Sequence, residues 1–187
     1  MNKKKLRSKL LSLKDENPIF ALESKAIANN LLQNYYFSKN LVVAGYWPIR
    51  NEADPIYLIT KLFNFGCTIC LPEIIAYSKI LNFRKWCPYE PLRPGKFGTA
   101  QPWEDQPLLV PDVILTPLVG FDKEGNRLGY GGGYYDATIS NLKQNGGRRI
   151  VLIGIAREIQ RVNLIPSSEY DERLDMVVTE ENFERLD

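Results

Sequence analysis

The chain has 187 residues, 44% of them hydrophobic and 25% charged, proportions that suit a globular fold with one well-filled core. Its 24 Lys and Arg against 22 Asp and Glu leave a net charge of +2, which gives no general case for nucleic acid or anionic lipid. No segment approaches the roughly 20 apolar residues of a membrane helix, and no apolar run of signal length follows the basic opening Lys3-Lys-Lys-Leu-Arg7. The expectation is a single cytoplasmic domain over residues 1–187, acting as a monomer on neither nucleic acid nor membrane.

The first element is a helix over Lys3–Lys14, with Leu6, Leu10 and Leu13 at helical spacing. Asn17-Pro18 reads as an N-cap and first helical residue, opening a second helix to about Tyr36. Leu41–Tyr46 is a short buried strand. Asp54-Pro55 repeats the cap-then-proline signal for a helix through Phe65, stopped by Gly66. Strands over Thr68–Leu71 and Ile80–Arg84 follow.

Between Pro88 and Pro111 lie six of the 12 prolines, so an irregular excursion across one face of the domain is predicted. Val113–Pro117 is a central strand, and a helix from about Gly133 carries Tyr135, Ile139 and Leu142. Ile150–Ala156 is nearly all apolar, as in a strand buried on both faces. Met176–Thr179 is the last strand. Such alternation implies a mostly parallel sheet covered on both sides.

Three cysteines are an odd number and argue against a disulfide framework. Cys67 and Cys70 stand three apart on a strand, so their sulfurs point to opposite faces and act as small hydrophobes. The chain has no histidine, which removes Ser-His and Cys-His nucleophiles and the usual imidazole base. Chemistry must rest on Lys, Arg, Asp, Glu, Tyr and backbone amides.

The segment richest in chemistry is Thr116–Asp122 followed by Gly125-Asn-Arg-Leu-Gly-Tyr-Gly-Gly-Gly-Tyr-Tyr-Asp136. Glycines let the main chain approach a ligand, a helix start favours phosphate, and Arg127 adds a charged donor. The order of residues fits neither the P-loop nor the dinucleotide fingerprint. A bare Gly-rich turn is as readily a flexible loop as a phosphate site, but Arg127, three consecutive glycines, two tyrosines and an aspartate together are more specific. The alternatives are an ATP-dependent enzyme with another acceptor or a non-catalytic binder of phosphate ligands.

Arg127–Asp136 resembles the signature of the 5-formyltetrahydrofolate cyclo-ligase family, and further segments match that family in order. These are Lys3–Arg7, Trp47–Glu52, Leu92–Gly98 and Asp171–Asp175. The resemblance implies a three-layer α/β/α sandwich with a mostly parallel central sheet. It implies conversion of 5-formyltetrahydrofolate, possibly polyglutamylated, and ATP to 5,10-methenyltetrahydrofolate, ADP and phosphate.

By the same resemblance, Lys3 and Arg7 bind ATP together with the loop Arg127, Leu128, Gly129, Tyr130, Gly131, Gly132, Gly133, Tyr134 and Tyr135. Trp47 and Glu52 bind the folate, which Tyr130–Tyr134 also touch; Arg127 and Tyr134 are catalytic; Asp136 and Asp171 hold Mg²⁺. Aromatic walls for the flat pterin are sought in Trp47, Phe83 and Tyr134. The chain departs from the family at Tyr170, where a His is common, and at Gln101, where a Glu is common. Tyr130 and Gly132 stand where many members carry a basic residue.

Overall fold

A computed structural model of the chain describes residues 2–17, 21–146 and 149–186. Its helices are α1 (Lys3–Glu16), α2 (Ala21–Asn34), α3 (Ile56–Phe65) and α4 (Tyr134–Gly146). Its strands are β1 (Val42–Ala44), β2 (Thr68–Ile74), β3 (Leu81–Lys85), β4 (Arg93–Pro94), β5 (Ala100–Gln101) and β6 (Val113–Pro117). Those that follow are β7 (Gly120–Phe121), β8 (Arg127–Leu128), β9 (Val151–Ile155), β10 (Met176–Val178) and β11 (Phe183–Arg185).

One sheet of seven strands runs in the order β11-β10-β9-β6-β1-β2-β3. Neighbours from β10 to β2 pair in parallel, and β3 and β11 close the edges antiparallel. Alternate residues divide between the two faces. Val43, Ile69, Leu71, Val113, Leu115, Ile153 and Ile155 pack with Ile27 and Leu31 of α2 and Leu58, Ile59 and Leu62 of α3. Ala44, Cys70, Ile114, Leu152 and Val177 face Ile139 of α4 on the other side. The architecture is the expected α/β/α sandwich.

The cysteines divide in the same way. Cys67 belongs to the first layer and Cys70 to the second, and each donates a weak hydrogen bond to a separate carbonyl, of Ser38 and Val43 respectively. Burial pushes the Cys70 thiol well up from its ordinary range, so it serves as a core hydrophobe.

The chain leaves β1 in one direction toward β2 and later leaves β6 in the opposite direction toward β9. Crossovers of one hand therefore place α3 and α4 on opposite faces. The reversal opens a crevice outside the carboxyl ends of β1 and β6, where ligands bind in open α/β sheets.

Several boundaries differ from expectation. Asn17 closes α1 rather than opening α2: its N–H bonds to the Lys14 carbonyl and its side chain to that of Leu13. Pro18 lies outside the described residues. Asp54 accepts from the Ile56 amide at 2.8 Å, as a cap should, although Pro55 intervenes.

Strand β2 runs through Pro72 to Ile74, past the expected end at Leu71. The Cys70 carbonyl takes the Gly45 amide, and alternation points Pro72 to that same side, where the pairing of β1 has ended. The missing N–H therefore has no strand to serve. Two residues on, the Ile74 amide finds a substitute partner in Gln101 Oε1 at 3.2 Å.

The Pro-rich excursion covers the outer edge of β3, with Lys85 donating to Pro107 and Leu109 to Phe83. It also folds a hairpin, β4–β5, that the sequence did not indicate. That hairpin is tied to the sheet by Glu73, which accepts from Arg84 at 2.7 Å and Arg93 at 2.6 Å. Among the described residues no helix is long and apolar enough to cross a membrane.

Glu73 is buried between two guanidiniums. Glu73→Gln is therefore expected to lower stability by about 2–3 kcal/mol, since it takes the ion-pair partner from partly buried Arg84 and leaves Arg93 only the exposed Glu104. Urea unfolding of the two proteins checks this, and an unchanged midpoint would refute it.

Candidate functional site

At the crevice lies a cavity of about 520 Å³. Tyr46 and Trp47 reach it from the end of β1, Pro117 from β6, and Pro72 and Ile74 from β2. Helix α1 crosses it. Leu6 and Leu10 seat this helix on Val119, Leu128 and Ile165, outside the two main layers. That docking turns Lys3 and Arg7 toward the cavity.

The glycine-rich segment divides into two structures. Gly125 belongs to the turn between β7 and β8, with φ +79, and does not line the cavity. An added Cβ there would meet the Leu174 carbonyl at 2.9 Å. Gly129 to Gly133 form the cavity loop proper, ending at the first turn of α4. Gly131 has φ +101, and an added Cβ would sit 3.3 Å from Arg7 Cζ. Arg7 Nε donates to the Gly129 carbonyl at 2.7 Å, so glycine lets the guanidinium lie against the loop.

Arg127 is buried where β8 meets α4. Its Nη2 lies 2.9 Å from Asp136 Oδ1, and its Nη1 donates to the Glu172 carbonyl. Asp136 Oδ1 also takes the Glu172 amide at 3.1 Å. Three chain segments thus meet at one ion pair, and Arg127 anchors the loop from beneath. Lys3 bonds both oxygens of Asp171, at 2.7 and 2.5 Å. Burial disfavours the Asp171 charge, but bonds from Lys3 and Ser168 outweigh it and hold the carboxyl below its ordinary range.

At the other end, Glu52 is buried and accepts from the Ile49 amide at 2.9 Å. Burial raises its pKa, against the opposing pull of Lys14, Tyr130 and Arg50. Lys14 Nζ donates to the Tyr130 hydroxyl at 3.2 Å. The sequence pattern gave no sign of Lys14, which looks like one more charge on an exposed helix.

Every residue that the family resemblance assigned lines this one cavity: Lys3, Arg7, Trp47, Glu52, Arg127 through Asp136, and Asp171. Leu128 contributes while its side chain is buried against α1. Tyr135 also packs into the second core layer, and burial pushes its phenol well up.

Phe83 is not a wall of the cavity. It lies in the core under α4, because β3 turns that face inward. Phe97, at the tip of the β4–β5 hairpin, takes the place sought for it. It is 66% exposed, lines the cavity, and stands edge-on to Tyr134 with ring centroids 6.1 Å apart. Phe97 and Arg50 both hold left-handed backbone, at φ 61 and 51, and both border the cavity. Such strain persists where surrounding structure enforces it, often at ligand sites.

A family model described as "5-formyltetrahydrofolate cyclo-ligase family" matches residues 1–180. The chain belongs to the 5-formyltetrahydrofolate cyclo-ligase family. It is an enzyme of that kind, a ligase of folate one-carbon chemistry. It is 30% identical to the 5-formyltetrahydrofolate cyclo-ligase of Haemophilus influenzae over 173 residues, covering 90% of this chain and 88% of that one. It is 34% identical to the Escherichia coli K12 enzyme of the same name over 142 residues, 73% of this chain and 76% of that one. The solved structure of Aquifex aeolicus 5,10-methenyltetrahydrofolate synthetase superposes with a TM-score of 0.80 at 28% identity, covering 100% of this chain and 93% of that one.

Two departures from the family pattern can be placed. Gln101 is buried and caps the Ile74 amide, a task an amide oxygen performs as well as a carboxylate. Tyr170 is exposed and outside the cavity lining.

Glu52 gives a pH test. Its folded pKa is raised above the ordinary 4.5, so its contribution is intact below that pH and is lost as pH rises through the folded value. Glu52→Gln should therefore gain stability relative to the wild type over that window. Denaturant titrations at stepped pH measure the difference, and a constant difference would contradict the assignment.

Proposed function

We propose that the cavity binds ATP at its glycine-loop end and 5-formyltetrahydrofolate at its Glu52 end, for phosphoryl transfer between them. The γ-phosphoryl group passes to the formyl oxygen. N10 then attacks the activated carbon, losing its proton as phosphate leaves, and 5,10-methenyltetrahydrofolate and ADP remain. The observation that carries the reading is that one cavity gathers every residue assigned to either ligand.

Lys3 and Arg7 supply mobile and fixed positive charge for the phosphates, and the amides of Gly131 to Tyr134 add donors at the start of α4. Arg127 is given the role of fixing the loop and adding buried positive charge beneath it. Tyr134 and Phe97 face the flat rings, with Trp47 on the folate side. Glu52, acting as a hydrogen-bond acceptor, orients the pterin.

Mg²⁺ needs one or two carboxylates besides phosphate oxygens and water, and Asp136 and Asp171 on the cavity wall meet that need. When bound, it neutralises phosphate charge. A monomeric, single-domain, cytoplasmic enzyme with a folate substrate of one or more glutamates completes the reading.

The test is absorbance of the methenyl product after mixing protein, 5-formyltetrahydrofolate, Mg²⁺ and ATP. Product is expected from the wild type. Arg7→Ala should raise KM for ATP by about tenfold or more through loss of a charge-assisted contact, with KM for the folate little changed. Folded protein that binds ATP yet forms no product would overturn the reading, and point to another acceptor.

A further inference from the structure

Helix α1 carries a third cation toward the site. Lys14 is 2% exposed, although it is a charged residue in the last turn of a surface helix. Lysine is almost never so buried without a partner. Its ammonium donates to the Tyr130 hydroxyl at 3.2 Å and stands 5.6 Å from the centre of that ring. Tyr130 and Glu52 line the same end of the cavity, and the Tyr130 phenol pulls the Glu52 carboxyl down against the rise that burial causes. Lys14 itself does not line the cavity, whereas Tyr130 and Glu52 do.

We propose that Lys14 is a positioning residue for the folate end of the cavity, fixing Tyr130 and supplying the counter-charge for Glu52 through the chain Lys14–Tyr130–Glu52. The proposal rests on the functional reading above and deepens it.

The electrostatic surroundings agree. Burial lowers the Lys14 pKa, while Glu52 and Asp15 raise it and Arg157 and Arg50 lower it. Glu52 faces Lys14 and Arg50, together with the phenols of Tyr46, Tyr130 and Tyr135, which burial keeps neutral. Arg50 also lies 5.5 Å from the Tyr130 ring, but it borders the open cavity, where water screens it. Lys14 is the buried cation of the group, so its charge acts at lower local dielectric.

Removing that charge raises the cost of ionising Glu52. In Lys14→Met, which fills the buried space without charge, the acid limb of kcat/KM for 5-formyltetrahydrofolate should move up by about one pH unit. KM for the folate should rise about tenfold, with KM for ATP within about twofold of the wild type. Lys14→Arg should return the limb toward its original position. Lys14→Gln, a donor without charge, should keep the shifted limb.

A purely structural role would lower the amount of folded enzyme and leave the limb and both KM values in place, which would refute the proposal. A ¹³C carboxyl titration of Glu52 in the wild type and Lys14→Met gives a readout free of turnover. An upward shift there supports the proposal even if the wild type makes no methenyl product, a result that would count against the functional reading alone. An unmoved Glu52 titration sinks the proposal whatever the activity.

Discussion

Leu10 of α1 presses a methyl group onto Gly120, so closely that an added Cβ at that glycine would lie 2.5 Å from it. With Leu6 it seats the helix on Val119, Leu128 and Ile165. Burying two leucines contributes about 3–6 kcal/mol, enough to hold a helix that takes no part in the sandwich. The consequence is geometric. From Lys3 to Lys14 the helix rises roughly 16 Å, and it lays one cation or another along the whole cavity. Lys3 reaches Asp171, Arg7 lies on the glycine loop, and Lys14 meets Tyr130.

The carboxylates of the cavity have their partners within the protein, while Arg7 and Arg50 add further positive charge. Lys3 holds Asp171, Arg127 holds Asp136, and Lys14 acts through Tyr130 on Glu52. These pairs differ in how readily they exchange partners. Lys3–Asp171 is partly open to water, where an ion pair is worth little, so an incoming charged group can divide it at low cost. Arg127–Asp136 is buried on the arginine side and shared with the Glu172 backbone, and breaking it costs more. Exchange therefore belongs to the more exposed pair and rigidity to the pair with the buried arginine.

The sheet order was not legible in the sequence, but the elements that build it largely were, because apolar runs in buried parallel strands and capped helices carry local signals. The ordered motifs name residues that the structure brings to one cavity, and it adds their depth and pairings. What escaped reading depended on neighbours far along the chain. Pro72 looks like a strand end until the shorter β1 beside it is known. Gly125 and Gly131 look alike in sequence, yet one turns a hairpin and the other receives Arg7. Phe83 and Phe97 are both aromatic residues near loops, and only the fold of the β4–β5 hairpin decides which meets the cavity. Lys14 is invisible because burial of a lysine depends on a partner 116 residues away.

That hairpin also gives a physical reason for glutamine at position 101. Glu73 already places one negative charge between Arg84 and Arg93, under the base of the hairpin. A carboxylate at position 101 would add a second buried negative charge to the same base, beside the same Ile74 amide. The amide oxygen keeps the hydrogen bond without that added desolvation. Gly95 keeps the space free, since a Cβ there would lie 2.8 Å from Gln101 Oε1. The base is thereby fixed by short-range bonds, and the strain of the positive-φ Phe97 is confined to the tip. A rigid base carrying an exposed aromatic tip lets Phe97 face Tyr134 across the cavity while the sheet beneath stays unchanged.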